Sequence, residues 1–144
     1  MLIGEYTHNL DAKSRVSVPA KFREKLGKQV VVTHGLDQCL WVYPVSEWEK
    51  VADKLAGLSM GQSDTRGFNR FMLAGAVEVD VDALGRILIP EFLRTFAGLK
   101  TQVVFAGVHS RVEIWDESKW QEYKTGVAGK ADQLAEKLGE IGAI

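Results

Sequence analysis

The sequence predicts an α+β fold, mainly β, in which two tandem copies of one module form a β-barrel with flanking helices. The chain aligns with itself at an offset of 71, with seven identities and no gap over positions 4–27. Each copy shows the same order of strand, turn, strand, short helix, strand, strand and helix. Because each copy is too small to bury its own sheet well, we expect their strands to pair about a pseudo-twofold axis. The identical pairs are Gly4 and Gly75, Asp11 and Asp82, Ala12 and Ala83, Arg15 and Arg86, Pro19 and Pro90, Arg23 and Arg94, and Gly27 and Gly98.

Copy one opens with a strand, a tight turn and a second strand. Residues 4–10 favour the first strand. Asp11 and Ser14 favour a turn over 11–15, because Asp and Ser side chains hydrogen-bond their own backbone. Residues 16–18 alternate between apolar and polar, as a short strand does. These features predict a hairpin at the start of the copy.

A short helix and two strands follow in copy one. Pro19 suits the first turn of a helix and Gly27 its C-terminal stop, so a helix is predicted over 20–26. The β-branched residues of 29–33 favour a strand, and a return strand is predicted over 39–43. Copy two repeats this order.

Two capping boxes and a linker complete the predicted elements. Ser46 and Ser118 each begin a capping-box pattern and so predict a helix N-terminus. A linking helix is expected over 63–73, with Ser63 or Asp64 as its cap. The predicted units are repeat one at 1–58, a linking region at 59–71, repeat two at 72–125, and a tail at 126–144 that is interpreted as a frayed helix.

Composition indicates a soluble globular protein and excludes several classes. Hydrophobic residues make up 46% and charged residues 26% of the 144 residues. The single cysteine, Cys39, excludes an internal disulfide framework, and three widely separated histidines exclude a clustered zinc site. No stretch reaches the ~20 apolar residues of a membrane helix, and no signal peptide is recognisable, so a cytoplasmic location is expected. No glycine-rich nucleotide motif occurs, and we expect no cofactor, no metal and no small-molecule ligand.

The most distinctive motif is a repeated Asp-x-x-x-Arg, formed by Asp11 and Arg15 and again by Asp82 and Arg86. A carboxylate four positions before a guanidinium can close a tight turn with charge-assisted hydrogen bonds. In that interpretation the two pairs only stabilise hairpins, which the residues alone favour. In the alternative, the arginines face outward to meet phosphate or a guanine edge.

Positive charge is concentrated in copy one. Residues 11–28 hold six basic and two acidic side chains, a charge of +4 in a chain whose net charge is −1. The matching stretch 82–100 carries only +1, and residues 116–140 carry −2. Such a run is commonly a solvated helix face; the alternative is an anion-binding face on copy one.

Two further clusters suggest competing functions. Phe68, Phe71 and Met72 lie at helical spacing and are expected to be buried. If they instead formed a surface with the tryptophans, the chain would be an oligomeric adaptor that binds protein partners. Cys39 and His34 could suggest a thiol nucleophile with a base. Nothing in copy two repeats that pair, so we expect a core cysteine and no enzymatic activity.

Residues around the two turns carry a family resemblance. They are Gly4-Glu5-Tyr6, His8, Leu10-Asp11-Ala12-Lys13-Ser14-Arg15-Val16, Val18-Pro19-Ala20-Lys21-Phe22-Arg23, Gly35-Leu36-Asp37-Gln38-Cys39-Leu40, Tyr43-Pro44, Glu47-Trp48, Asp82 to Arg86 and Glu113-Ile114-Trp115. This pattern over 1–125 resembles the MraZ family, bacterial transcriptional regulators found at the head of the division and cell-wall gene cluster. The family turn usually reads Asp-Ala-Lys-Gly-Arg, and here Ser14 replaces the glycine, whereas copy two keeps Gly85. If that position needs a positive φ, serine costs about 1 kcal/mol or more.

The resemblance implies two AbrB-like (SpoVT-AbrB) modules that form a swapped-hairpin β-barrel. It also implies a sequence-specific DNA-binding repressor at the nucleoid, a ring-like homo-oligomer that binds short direct repeats of double-stranded DNA in its own promoter region. Arg15 and Lys13 are then expected to read bases. The DNA-binding residues implied are Lys13, Arg15, Lys21, Arg23 and Arg86, with Lys21 and Arg23 on phosphate and with Asp11 and Asp82 as structural turn residues.

Overall fold

The computed structural model describes residues 1–144, which form eight strands, six α-helices and one π-helical turn. The strands are β1 (Leu2–Asn9), β2 (Arg15–Ser17), β3 (Gln29–His34), β4 (Leu40–Pro44), β5 (Val77–Asp80), β6 (Arg86–Leu88), β7 (Gln102–His109) and β8 (Val112–Asp116). The helices are α1 (Ala20–Leu26), α2 (Val45–Ala56), α3 (Ser63–Asn69), α4 (Glu91–Ala97), α5 (Glu117–Ala128) and α6 (Ala131–Glu140), and the π-helical turn is Arg70–Ala74. The chain is α+β, and the order of its elements repeats from the first half to the second.

The two copies are interleaved through their strands. Six strands form one antiparallel sheet in the order β1-β7-β8-β4-β3-β5, while β2 and β6 form a separate two-stranded ribbon. Strands from different copies pair at four places: β1 with β7, β3 with β5, β4 with β8, and β2 with β6. The expected pairing of strands between the copies is therefore confirmed.

The β2–β6 ribbon shares one hydrophobic core with the sheet. The sheet is open between β1 and β5, and the ribbon contributes Val16 and Ile87, which lie opposite each other, to the buried cluster. Phe22 of α1 and Leu93 of α4 belong to the same cluster. Both copies therefore supply one common core from equivalent positions.

Two helices begin earlier than their predicted capping boxes. α2 starts directly after Pro44 and α5 directly after Asp116, and neither N-terminus has a side-chain cap. The capping boxes predicted at Ser46 and Ser118 are wrong, because β4 and β8 run into these helices without a loop and leave each serine inside the first turn. The Ser118 hydroxyl donates instead to the Asp116 carboxylate at 3.1 Å.

The linking helix differs from its prediction in two details. Gln62 stands at the N-cap of α3 without a side-chain hydrogen bond, so the predicted caps Ser63 and Asp64 are wrong. Met72 is buried as predicted, but Phe68 is exposed, and its predicted burial is wrong. The reason is that α3 buries none of its residues, and only the π-helical turn after it contributes a buried side chain.

Strand β3 binds the backbone of the π-helical turn. The Thr33 hydroxyl donates to the Met72 carbonyl oxygen at 2.8 Å, and His34 Nδ1 lies 3.0 Å from the Phe71 carbonyl oxygen. A π-helical turn takes carbonyls out of the regular helical ladder, and side chains of a neighbouring element can then bind them. Tertiary contacts with β3 therefore accompany the change from α- to π-helix.

The C-terminal tail, interpreted from the sequence as a frayed helix, forms the ten-residue helix α6. Every residue of α6 is at least partly open to solvent, and none is buried. No helix of the chain combines the length and the apolar character that a membrane span requires.

Candidate nucleic-acid interface

The first turn, residues 11–15, closes around the Asp11 carboxylate. Asp11 Oδ1 accepts hydrogen bonds from the backbone N–H groups of Lys13 and Arg15, each at 2.9 Å. The Asp11 N–H donates to the Arg15 carbonyl oxygen at 2.9 Å, and the Ser14 N–H donates to the Asp11 carbonyl oxygen at 3.0 Å. A short side chain that satisfies two backbone donors holds such a loop in one conformation.

The second turn, residues 82–86, has the same geometry. Asp82 Oδ1 accepts hydrogen bonds from the backbone N–H groups of Leu84 and Arg86, each at 2.9 Å. In both turns, hydrogen bonds to the carboxylate lower the pKa of the aspartate, and the largest contribution comes from the arginine backbone N–H. Both carboxyl groups are therefore ionised at neutral pH.

Arg15 and Arg86 use only part of their guanidinium groups within the chain. Each Nε donates to Oδ2 of the aspartate in its own turn at 2.9 Å. The Nη groups of both arginines make no hydrogen bond within the chain, and the two side chains are 30% and 27% exposed. Because a guanidinium carries five N–H donors, four remain available on each arginine. Closing the turn and facing a ligand are thus compatible roles that use different nitrogens.

The ribbon brings the two arginines to one surface. Arg15 lies opposite Leu88 and Ser17 lies opposite Arg86, with a buried valine–isoleucine pair between them. Side chains alternate along a strand, so residues on either side of a buried pair point away from the core. We call the surface formed by these four residues the ribbon face. Sequence reasoning treated the arginines as parts of separate copies, and the pairing of β2 with β6 unites them.

A third arginine, Arg23 of α1, lies on the turn of the other copy. Arg23 Nε donates to the Val18 carbonyl oxygen at 2.8 Å, and the Val18 N–H donates to the Gly85 carbonyl oxygen at 2.8 Å. A Cβ added at Gly85 would lie 2.5 Å from Arg23 Cζ. The guanidinium therefore packs directly on the second turn, where an added Cβ would have to displace it.

Arg94 of α4 is the counterpart of Arg23, and the expected set of site residues omits it. Arg94 Nε donates to the Ile89 carbonyl oxygen at 3.0 Å, and the Ile89 N–H donates to the Ser14 carbonyl oxygen at 3.0 Å. Each turn is thus joined to a helical arginine of the other copy. The identity of Arg23 and Arg94 in the internal repeat is the signal that points to this residue.

The two expected lysines lie in different surroundings. Lys13 is exposed in the first turn, next to Arg15. Lys21 lies about 200° around the α1 axis from Arg23, because α-helical residues are spaced by about 100°. It lines a shallow cavity of about 440 Å³ with Lys25 and two other residues. The structure keeps Lys13 beside the ribbon and leaves Lys21 on a separate side of α1.

The fourth position of each turn has a left-handed backbone. The φ angle is 64° at Ser14 and 79° at Gly85, so the position does need a positive φ. A residue with a Cβ costs roughly 1–2 kcal/mol in that conformation, whereas glycine costs little. The first turn therefore keeps the shape of the second despite its serine.

Cys39 and His34 form no reactive pair. Cys39 is buried, and its Sγ donates to the Leu36 carbonyl oxygen at 3.2 Å. Burial raises the pKa of the Cys39 thiol far above its usual range, which keeps it protonated at neutral pH. The His34 ring stacks on Phe71, with 4.5 Å between the ring centroids. No three His, Cys, Asp or Glu side chains are grouped so that they could hold a metal ion.

Known proteins resemble this chain over both copies of the repeat. A family model described as "MraZ protein, putative antitoxin-like" matches residues 1–71 and again residues 72–138. The transcriptional regulator MraZ of Acetivibrio thermocellus is 49% identical over 142 residues, which are 99% of each chain. The protein of the same name from Thermoanaerobacter sp. is 48% identical over 141 residues, 98% of this chain and 99% of the relative. That of Caldanaerobacter subterraneus is 49% identical over 138 residues, 96% of each chain.

Proposed function

The chain belongs to the MraZ family of transcriptional regulators, and we propose that it regulates transcription by binding double-stranded DNA through the ribbon face. One observation carries the choice of surface. Two arginines from different copies keep unbonded Nη groups on the same side of one ribbon. Guanidinium groups with free donors fit the two anionic or electron-rich partners that DNA offers, phosphate oxygens and the guanine edge.

The ribbon suits the major groove of B-DNA, whose width admits a two-stranded β-ribbon. We expect Arg15 to bind O6 and N7 of a guanine, and Arg86 to contribute a second contact. Lys13 lies outside the ribbon face, so we assign it to phosphate rather than to a base. Each bidentate arginine–guanine pair discriminates against other bases by about 1–3 kcal/mol. The Nε bond to the turn aspartate holds each guanidinium in place, so less side-chain freedom is lost on binding.

Phosphate contacts would set the orientation on the duplex rather than the sequence preference. Lys13 and Arg23 lie beside the ribbon and are the nearest candidates. Lys21 would contribute least, because it lies on another side of α1. About three or four such contacts on one chain give only weak binding that salt reduces strongly. A single chain is therefore expected to bind DNA poorly.

Assembly would supply the missing affinity. We propose that the protein acts as a ring-like homo-oligomer on short direct repeats in its own promoter region, upstream of division and cell-wall genes, where it represses transcription. Several ribbon faces side by side bind at high effective concentration once the first has bound. The place of action would be the cytoplasm, at the nucleoid. Transcriptional regulators are not an enzyme class, and we propose no catalytic role for the chain.

A gel shift with the DNA upstream of the protein's own gene tests the proposal. Wild type, Arg15→Ala and the control Arg70→Ala are compared at two salt concentrations; Arg70 is an exposed arginine of the π-helical turn and belongs to neither strand of the ribbon. We expect specific binding that salt weakens, that Arg15→Ala loses and that Arg70→Ala keeps. Absence of specific binding by a verified oligomer would favour the adaptor function, with the arginines serving only to close the hairpins.

The spacing of the DNA repeats tests the assembly. Repeats spaced near one helical turn lie on one side of the duplex and meet neighbouring ribbon faces together. Inserting half a helical turn between two repeats should greatly weaken binding, because the faces can no longer be engaged at once. Unchanged affinity for the shifted duplex, measured by the same gel shift, would contradict binding by several faces.

A further inference from the structure

The two halves of the ribbon face are chemically different. Opposite Arg86 stands Ser17, a small hydroxyl residue, whereas opposite Arg15 stands Leu88, whose residue surface is 53% exposed. The fold does not use this leucine for its core, because the core side of β6 is supplied by Ile87. Leu88 is therefore an exposed apolar residue of the ribbon face, directly opposite an arginine whose Nη donors are free.

The register fixes how far apart the arginine and the leucine are. Directly opposed side chains in an antiparallel pair have Cβ atoms about 4.5–5.5 Å apart. Successive base pairs in B-DNA are about 3.4 Å apart along each strand. If Arg15 binds a guanine, Leu88 reaches the neighbouring base pair and not a distant one.

We propose that Leu88 is a specificity-determining residue that contacts the C5-methyl group of a thymine next to the guanine bound by Arg15. The inference rests on the proposed binding of DNA through the ribbon face. In the major groove, thymine presents a methyl group, while the other unmodified bases present mainly donors and acceptors there. Leucine matches the methyl group, and it leaves donors and acceptors of any other base without a partner.

This contact gives each chain a direction on the duplex. A ribbon made of two identical halves reads a palindrome, because protein symmetry is mirrored in the site. Here one half of the ribbon face has Leu88 and the other has Ser17, so the two halves differ. A serine hydroxyl can hydrogen-bond to several bases and therefore selects less strongly. Each chain therefore reads a non-palindromic element, with the thymine on the Arg15 side.

Replacing thymine by uracil removes the methyl group and leaves the Watson–Crick pairing intact. Each thymine of the upstream duplex is replaced in turn, and the Kd of the full-length protein is measured at one salt concentration. We expect one position next to a guanine to weaken wild-type binding about fourfold, which corresponds to about 0.8 kcal/mol for one buried methyl group. Uracil at the remaining positions should change Kd little.

The variant Leu88→Ala assigns the methyl contact to this residue. The ratio of Kd for uracil to Kd for thymine at the sensitive position should fall from about four to about one in this variant. The ratio compares two duplexes on the same protein, so a partial loss of folded protein cancels. Leu36→Ala is the matched control, since Leu36 is 48% exposed and lies on the turn between β3 and β4. It should keep the ratio of about four.

A double exchange sharpens the test. In Ser17→Leu combined with Leu88→Ser, the uracil effect should move to the base pair next to the guanine bound by Arg86. A uracil effect that stays at the original position in this variant would overturn the inference.

The remaining outcomes separate the inference from the proposed function. Specific binding without any uracil effect, or a uracil effect that Leu88→Ala leaves intact, overturns the role of Leu88 while DNA binding stands. Leu88→Ala that dissociates the oligomer and keeps the uracil effect reassigns Leu88 to a contact between chains. Absence of specific binding by wild type to any upstream duplex overturns both.

Discussion

The turns at residues 11–15 and 82–86 have nearly the same backbone and different surfaces. In both, one aspartate accepts two backbone hydrogen bonds and one from the arginine Nε, all at 2.9 Å. The third position is an exposed lysine in the first turn, Lys13, and a leucine that is 67% exposed in the second, Leu84. The Asp-x-x-x-Arg frame thus preserves shape, and the residues inside it are free to differ in chemistry.

The fourth position shows how packing decides what a turn accepts. At Gly85 the space for a Cβ is occupied by the Arg23 guanidinium. At the first turn the serine side chain stands in the equivalent place, with the same left-handed φ. The same backbone therefore accepts serine in one copy, whereas in the other a side chain would have to displace an arginine.

The largest expected difference is in DNA affinity after loss of either ribbon arginine. Arg15→Ala and Arg86→Ala should each weaken specific binding by about fivefold to 160-fold for every ribbon face engaged, the range that 1–3 kcal/mol of base discrimination implies. Arg15→Ala should lose more, because the first turn also carries Lys13. Titration of the upstream duplex at fixed salt measures both values, and circular dichroism checks the fold. Wild-type affinity of Arg86→Ala would break the view that both copies share one DNA surface.

Stability separates the two turns at their fourth position. Gly85→Ser should destabilise the protein by about 1–3 kcal/mol, because it places a Cβ against Arg23 at a positive φ. Ser14→Gly should change stability by less than about 1 kcal/mol, since relief of the left-handed serine is offset by a more flexible unfolded chain. Urea unfolding at equal protein concentration gives both values. Equal destabilisation by the two changes would show that the turns are packed alike.

The third position tests whether the electrostatic difference between the turns is functional. Lys13→Leu should make the dependence of log K on log salt shallower by about 0.9, as expected for one lost phosphate contact. Leu84→Lys should make it steeper if the second turn also approaches a phosphate. The slopes come from binding isotherms at four salt concentrations. A slope that Lys13→Leu leaves unchanged would remove Lys13 from the phosphate contacts.

The smallest expected difference between the turns is in their response to acid. Hydrogen bonds hold the pKa of both Asp11 and Asp82 below the ordinary value of 3.8. A depressed folded-state pKa stabilises the protein above the unfolded-state pKa, and this contribution disappears as the pH falls through the folded-state value. Asp11→Asn and Asp82→Asn should therefore each reduce the acid dependence of stability below roughly pH 4, and by similar amounts. Urea midpoints between pH 2.5 and 5 check this, and unequal effects would contradict the equivalence of the two carboxylates.

Local sequence signals predicted many elements because those elements depend on neighbours along the chain. Pro19 and Gly27 bound α1 at the predicted residues, since a proline start and a glycine stop act through the backbone alone. The helices after Pro44 and Asp116 begin earlier than predicted, because a strand that continues into a helix removes the need for a cap. The π-helical turn was likewise invisible, since its carbonyls are bound by Thr33 and His34, which are distant in sequence.

The amino-acid sequence alone predicts the internal repeat and the two Asp-x-x-x-Arg turns. Both depend only on residue identities along the chain: matches at a fixed offset, and side chains that hydrogen-bond to nearby backbone. The tertiary structure decided which of these residues meet. Pairing of β2 with β6 puts Arg15 and Arg86 on one face, packing of α1 puts Arg23 on the opposite copy's turn, and Lys21 falls outside the group. No local pattern encodes this, because two three-residue strands pair only when residues 71 positions apart enter a common hydrophobic core.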